Sequence, residues 1–114
     1  MQIFGLRDSR PTQAALRFFR ERRVPVAFVD LAVRPPARGE LRRFADRLGP
    51  GALLDPESRD YREQGLAWLR LEGDELFQRL LAAPGLLRLP LVRAGNGFAA
   101  GRDEAAWKAL LSGQ

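Results

Sequence analysis

The sequence predicts an α/β fold with a four-stranded mixed sheet. A strand–helix–strand pattern opens the chain, helical segments without strands fill its middle, and a hairpin followed by a helix closes it. At 114 residues and 46% hydrophobic residues, the chain is long enough for one core and too short for two. We therefore expect a single domain over residues 1–114, with a helical insertion at about 36–85.

The first thirty residues have the pattern of a parallel βαβ unit. Gln2 to Leu6 is a short apolar run, and Pro11 follows a polar cluster at a position that a first helical turn tolerates. Val24 to Leu31 is apolar and rich in β-branched residues, which is typical of a buried strand. Two strands joined by one helix predict parallel pairing with a right-handed crossover.

The middle of the chain is predicted to be helical. An apolar pattern at helical spacing ends at Gly49, Pro56 to Gln64 resembles a short polar helix, and Asp74 is a candidate N-cap for a further helix that ends near Ala83. The first of these helices carries its apolar stripe at Leu41, Phe44, Ala45 and Leu48, and the last at Leu76, Phe77, Leu80 and Leu81.

The last thirty residues predict a hairpin and a helix. Leu89 to Arg93 and Gly97 to Gly101 flank a turn that contains glycine and asparagine, which is typical of antiparallel strands. Asp103 and Glu104 suit the first turn of the closing helix because they complement its dipole. The spacing of the large aromatic residues predicts a core that contains Phe18, Phe19, Phe44, Phe77, Trp68 and Trp107.

The composition excludes most common catalytic chemistry. Cysteine and histidine are both absent, which removes thiolate nucleophiles, imidazole bases and Cys/His zinc sites. The acidic residues form no metal-binding pattern, so no metal site is predicted. The formal charge is +5, but the basic residues alternate with acids and no nucleic-acid-binding motif is present. Nucleic acid is therefore not the expected partner.

The sequence also indicates a location. No stretch approaches the roughly 18 apolar residues of a membrane span, and the N-terminus lacks the pattern of a signal peptide. We expect a cytoplasmic protein without a membrane partner.

Four short motifs follow one another along the chain. They are Phe4–Gly5–Leu6 with Asp8–Ser9, then Leu53–Leu54 with Tyr61–Arg62, then Leu89–Pro90–Leu91–Val92, and Gly101–Arg102. Their order and spacing resemble the arsenate reductase (ArsC) family, which includes the Spx regulators and has a thioredoxin-like fold. The first motif is similar to the family's opening, the second to its central Leu-Leu and Tyr-Arg stretch, the third to its proline-containing strand, and the fourth to the Gly-Arg pair before its last helix.

This chain departs from the family where the family has its chemistry. By the resemblance, Ser9 stands at the position of the catalytic cysteine and Thr12 at that of the second cysteine. The family's arginine before the strand proline is Leu89, with Arg88 displaced by one residue, and its central arginine is replaced by Glu57; Arg102 is retained. A serine hydroxyl is not ionised at neutral pH without a base. We predict no catalytic residues and no ordinary arsenate reductase activity.

The candidate binding residues are Ser9, Arg10, Thr12, Pro90 and Arg102. Ser9 precedes the first helix, where unpaired N–H groups and the helix dipole favour an anion, but serine is also a preferred N-cap, and that role accounts for the residue without a ligand. Arg10 and Arg102 add positive charge to that helix start. The resemblance implies that the bond before Pro90 is cis and that this proline borders the substrate groove.

Three functions remain open from the sequence. The first is a non-redox, cysteine-free family member that binds an unknown protein partner or a small anion and needs no cofactor. The second is a glutathione-dependent reductase or transferase in which Ser9 holds the glutathione thiolate. The third is nucleic-acid binding, which requires one surface stripe formed by Arg17, Arg20, Arg23, Arg42, Arg43 and Arg47.

Overall fold

A computed structural model describes residues 1–112 in two compact units, so the last two residues of the predicted domain lie outside the described part. The first unit comprises residues 1–35 and those from Leu89 onward, and the second comprises Pro36–Arg88, starting where the helical insertion is predicted to start. The organisation as one domain stays a prediction. No helix in the described part is both long and apolar enough to cross a membrane.

The first unit contains the whole sheet. Its elements are β1 (Gln2–Gly5), α1 (Arg10–Glu21), β2 (Ala27–Asp30), β3 (Leu91–Ala94), β4 (Gly97–Ala100) and α5 (Glu104–Leu111). The strand order is β2-β1-β3-β4; β1 pairs parallel with β2 and antiparallel with β3, and β3 pairs antiparallel with β4. This confirms the predicted α/β class, the four-stranded mixed sheet, the βαβ unit and the hairpin.

One face of the sheet forms a core with α1 and α5. Trp107 of α5 lies against two aromatic residues of α1, with ring centroids 5.4 Å from Phe18 and 6.0 Å from Phe19. Ile3, Val92 and Ala99 are buried in the same cluster. The aromatic residues of both helices thus pack on one another and in one core with residues of the sheet.

The second strand is an edge strand, not the buried strand that its composition predicts. Within the part of the chain that the structure describes, β2 has only β1 as a neighbour, and it spans four residues of the predicted eight. Ala27 is exposed, and Phe28, Val29 and Asp30 are half-buried. Apolar composition cannot distinguish an edge strand from a central strand, because the position of a strand depends on the order of strands in the sheet.

The second unit consists of helices and helical turns. They are α2 (Arg38–Leu48), α3 (Arg59–Glu63) and α4 (Gly73–Ala82), with 3-10 turns at Pro50–Leu53, Leu66–Trp68 and Pro84–Leu86. Leu41, Phe44, Ala45, Leu76, Phe77 and Leu80 are buried, as the helical spacing predicts. An isolated antiparallel bridge joins Leu54 to Leu87, so the unit is closed by backbone pairing as well as by apolar contacts.

Two predictions in the second unit are wrong. Asp74 is not an N-cap: α4 begins at Gly73 after Glu72, and the Asp74 carboxylate accepts a hydrogen bond from Arg42 at 3.0 Å. Trp68 is not in the core, since 90% of its side chain is exposed. It lies in a short 3-10 turn, where helical spacing does not determine which way a side chain points.

Candidate functional site

Strand register brings two of the predicted site residues, Ser9 and Pro90, to the same end of the sheet. Phe4 pairs with Leu91, so the next register position places Pro90 beside Gly5, where β1 ends and the segment to Ser9 begins. The bond between Leu89 and Pro90 is cis, as the resemblance implies. Pro90 is buried, and its carbonyl accepts a hydrogen bond from the N–H of Gly101 at 2.9 Å, which holds the start of β3 to the end of β4.

Ser9 is the N-cap of α1. Its backbone is extended, and its Oγ accepts a hydrogen bond from the N–H of Thr12 at 3.2 Å. The carbonyl of Ser9 accepts from the N–H of Gln13 at 2.9 Å, and the Ser9 N–H donates to the carbonyl of Leu6 at 3.0 Å. These bonds fix the half-buried serine at the helix start, so its position is set by backbone capping.

The start of α1 offers few N–H groups to a ligand. Pro11 has no N–H, and the N–H of Thr12 is taken by Ser9, which leaves the N–H of Arg10 as the remaining donor of the first turn. The first turn carries no acidic side chain, the acidic Asp8 directly precedes the N-cap, and the Arg10 side chain is exposed.

Thr12 lies in the first turn of α1, on the side that packs against the end of β1. Its side chain is fully buried, and its Oγ1 has no hydrogen-bond partner among the described residues. A β-carbon added to Gly5 would overlap Oγ1 and Cγ2 of Thr12. Gly5 therefore belongs to the local structure of the site, and the signal that could have found it is a glycine at the end of an apolar strand.

Arg102 lies along the side of α1. It is exposed and lines a cavity of about 200 Å³, whose other lining residues come from α1, its C-cap residue and the start of α5: Ala14, Arg17, Phe18, Glu21, Arg22 and Glu104. Ser9 and Arg10 are not in this lining. The structure thus groups Ser9, Thr12 and Pro90 around the end of β1, and it places Arg102 beside later turns of the same helix.

Titratable groups add little to the site. In the described part of the chain, no group of His, Cys, Asp and Glu side chains is arranged to hold a metal ion. A hydrogen bond to Glu63 at 2.9 Å raises the pKa of Arg59 above its ordinary value, but this exposed pair lies on α3 in the second unit. The six arginines of the predicted nucleic-acid stripe are divided between the two units, and that stripe stays a prediction.

Comparison with known proteins gives a consistent result. Residues 8–110 match the model of the ArsC family. Three solved structures similar to this chain are a protein described as YffB (PA3664), an ArsC family related protein from Bacteroides fragilis, and an arsenate reductase from Vibrio cholerae. Their sequence identities are 22%, 17% and 21%, and their TM-scores are 0.88, 0.86 and 0.80.

These likenesses extend over whole chains. The alignments cover 96% of this chain and 97% of the YffB chain, 96% and 95% for the Bacteroides fragilis protein, and 95% and 97% for the Vibrio cholerae enzyme. No curated protein matches the chain.

Proposed function

The chain belongs to the ArsC family, and on that premise we propose that it is a binding module without redox activity. Its ligand is a protein partner or a small anion, held at the surface that Ser9 and Arg10 form near the end of β1, where the buried Pro90 begins the neighbouring segment. Arg102 extends this surface along α1, and Thr12 supports it from behind. The module needs no cofactor.

One observation carries this proposal: Ser9 is an N-cap, and among the described residues its Oγ is hydrogen-bonded to a backbone N–H and not to a carboxylate that could act as a base. Its Oγ accepts the N–H of Thr12 at 3.2 Å, and the chain contains neither cysteine nor histidine. A nucleophile at this position would need a thiolate or a hydroxyl next to a general base. The residues present favour binding and disfavour covalent chemistry.

Of the two ligand classes, the structure supports a protein partner better. A helix N-terminus binds an anion through several converging N–H groups. At this helix start, proline and the serine cap leave the N–H of Arg10 alone in the first turn. A protein partner instead uses the shape of the surface and the exposed guanidinium of Arg10.

Arsenate reduction by the purified chain tests the loss of redox activity. The assay supplies glutathione in one series and thioredoxin in the other as the source of electrons. We expect no turnover from the wild-type chain, while the Ser9→Cys variant reacts with a thiol reagent faster than free cysteine does, because the helix start favours the thiolate. Sustained reduction of arsenate by the wild-type chain contradicts the proposal.

Amide shifts separate the ligand classes. Titration of the labelled chain with sulfate and with arsenate reports anion binding if residues 9–13 shift in a saturable way. We expect no saturable shift for either ion, because the N–H of Arg10 is the one donor left in the first turn and an anion site needs several. Saturable shifts at these residues would identify the ligand as an anion.

The glutathione alternative keeps one specific observation in its favour. Ser9 Oγ accepts a hydrogen bond from Thr12, so its own hydroxyl hydrogen remains available to a bound thiolate. Titration with glutathione, compared between wild type and Ser9→Ala, tests this function. Binding that requires the hydroxyl supports the alternative, and equal or absent binding in both proteins excludes it.

A further inference from the structure

A groove between α1 and the edge strand β2 lies apart from the five predicted site residues. The cavity has a volume of about 520 Å³. Leu16 of α1 and three residues of the following segment, Val24, Val26 and Phe28, give it an apolar floor, and all four are half-buried. Apolar side chains that are not fully covered favour a ligand with an apolar portion.

Three arginines are among the residues that line the same groove, namely Arg7, Arg20 and Arg23, and no aspartate or glutamate is among them. Arg7 lies over the ring of Phe28, 5.2 Å from its centroid, and pairs with Asp30 at 3.3 Å. Asp30 offsets the charge of Arg7, so the net positive charge of the groove comes from Arg20 and Arg23.

Arg23 occupies a backbone conformation that glycine adopts at no steric penalty. Its φ is +56°, and it is the one non-glycine residue with positive φ in the described part of the chain. It follows the C-cap of α1, where the N–H of Val24 donates to the carbonyl of Phe19 at 3.0 Å and the N–H of Arg23 to that of Arg20 at 2.9 Å. Glycine is the usual residue here. An arginine at this position is strained, and its side chain lines the groove.

The outer edge of β2 adds main-chain groups beside the groove. The N–H groups of Ala27 and Leu31 donate to the carbonyls of Met1 and Gly5, each at 2.9 Å. Because donors alternate along a strand, the N–H of Phe28 is directed to the unpaired edge. An extended segment lying along β2 could pair there.

We propose that this groove binds an acidic, apolar segment of a partner protein. The carboxylates of that segment face Arg20 and Arg23, and its apolar side chains rest on the floor formed by Leu16, Val24, Val26 and Phe28. This groove contains none of the residues that the proposed function uses. A test can therefore reject either the peptide-binding groove or the proposed function without rejecting the other.

Charge and shape together favour a peptide over nucleic acid as the occupant. Three guanidinium groups would also attract phosphate, but the floor is mainly aliphatic and its one aromatic ring, Phe28, is half-buried beneath Arg7. Single strands bind to basic surfaces with exposed aromatic rings for stacking. An aliphatic floor complements leucine or valine side chains.

The test uses three synthetic peptides on the full chain. The first repeats Glu-Glu-Leu-Leu, the second repeats Lys-Lys-Leu-Leu, and the third repeats Glu-Glu-Ser-Ser, so that an extended peptide carries both of its residue types on each face. Anisotropy of a fluorescent label gives the affinity, and amide shifts of the protein give the location. We expect the first peptide to bind with a dissociation constant below about 1 mM, with shifts between residues 16 and 28, and the other two to bind at least about tenfold more weakly.

Charge reversal on α1 has a matched control. Arg20→Glu should weaken binding of the Glu/Leu peptide by about tenfold. Arg17→Glu makes the same charge change at an exposed residue of the same helix that lines the other cavity, beside Arg102. Because Arg17 lies one helical turn from Arg20 and outside the lining of the groove, salt screening reduces its effect without removing it, so the loss of affinity should be smaller than for Arg20→Glu.

Arg23→Gly separates binding from folding. Glycine relieves the strained backbone and removes the guanidinium, so the midpoint of thermal unfolding should rise while the affinity for the peptide falls. An unfolded variant cannot produce that pair of results.

The outcomes that overturn the proposal are specific. They are absence of binding by the Glu/Leu peptide, equal binding of the Glu/Leu and Lys/Leu peptides, and an equal loss of affinity in Arg17→Glu and Arg20→Glu. Tighter binding of single-stranded DNA with the same shifts identifies nucleic acid as the occupant. A dimer in sedimentation that protects the same amides identifies a second copy of the chain. None of these results involves the shifts at residues 9–13 that test the proposed function.

Discussion

The side chain of Thr12 fills the space that a β-carbon on Gly5 would occupy. Both Oγ1 and Cγ2 of Thr12 would overlap such an atom, and Thr12 is fully buried. This contact joins the end of β1 to the first turn of α1, directly behind the N-cap residue Ser9. The close approach of helix and strand at the site therefore depends on a glycine at position 5.

The variant Gly5→Ala tests this contact. Overlap in a packed interior forces the helix start to shift, and we expect a loss of about 1–3 kcal/mol in the free energy of unfolding. Denaturant unfolding measures it. The matched double variant Gly5→Ala with Thr12→Ala should recover part of the loss, because the second change empties the contested space. Strictly additive losses would show that the two residues do not interact.

The N-cap role of Ser9 predicts a defined stability change. Ser9→Ala removes the acceptor of the Thr12 N–H and should lower the free energy of unfolding by about 1 kcal/mol. Ser9→Asn supplies another capping oxygen, and it should retain most of the stability. Thermal unfolding of the three proteins provides the comparison. Equal stability of the alanine variant and the wild type would contradict the capping role.

Asp103 and Asp74 both lie at a helix start, but replacing them by alanine should lower the free energy of unfolding by different amounts. The Asp103 carboxylate caps α5 by accepting the N–H of Ala106 at 3.0 Å, whereas Asp74 pairs with Arg42 in an ion pair where 72% of the aspartate side chain is exposed. We expect Asp103→Ala to lower the free energy of unfolding by about 1 kcal/mol and Asp74→Ala by about 0.5 kcal/mol.

Salt distinguishes these two effects. At about 1 M salt the Debye length falls to roughly 3 Å, so the Asp74 contribution should shrink, while the capping hydrogen bond of Asp103 should persist. Urea unfolding at low and high ionic strength measures both. If the loss of unfolding free energy in Asp103→Ala disappears at high salt, then Asp103 stabilises the protein through its charge and not through the capping hydrogen bond.

The two tryptophans should report opposite environments. Trp68 is 90% exposed and Trp107 is 1% exposed. Trp107→Phe leaves the exposed indole, whose emission acrylamide should quench strongly, and Trp68→Phe leaves the buried indole, which should resist quenching. Trp107→Ala should lower the free energy of unfolding by about 3–5 kcal/mol and Trp68→Ala by less than about 0.5 kcal/mol. Similar quenching in both single-tryptophan variants would contradict this placement.

The sequence predicts the fold well where the signal is local. The apolar spacing of Leu41, Phe44 and Ala45 and the turn between Leu91–Ala94 and Gly97–Ala100 depend on neighbouring residues, and the structure confirms both. The burial of β2 depends on strand order, which periodicity does not contain. The direction of Trp68 depends on a 3-10 turn, where the helical period does not apply.

In the candidate site, too, the sequence predicts the local features and misses the contacts between distant segments. Serine before a helix predicts an N-cap, and the resemblance implies the cis bond before Pro90; both are present. Sequence reasoning missed the contact of Gly5 with Thr12 and the groove lined by Arg20 and Arg23, because each joins segments that are separated along the chain. Such contacts follow from the packing of α1 on the sheet, which spacing alone does not specify.

The unpaired side of β2 also bears on how the protein avoids aggregation. A free strand edge is a template on which other chains can add and begin a fibril. Here the strand is only four residues long, Pro25 precedes it closely, and the Arg7–Asp30 ion pair lies beside Phe28. Short length, proline and charge are the devices by which natural sheets prevent uncontrolled growth. These features make the exposed edge of β2 a poor template for the repeated addition of strands.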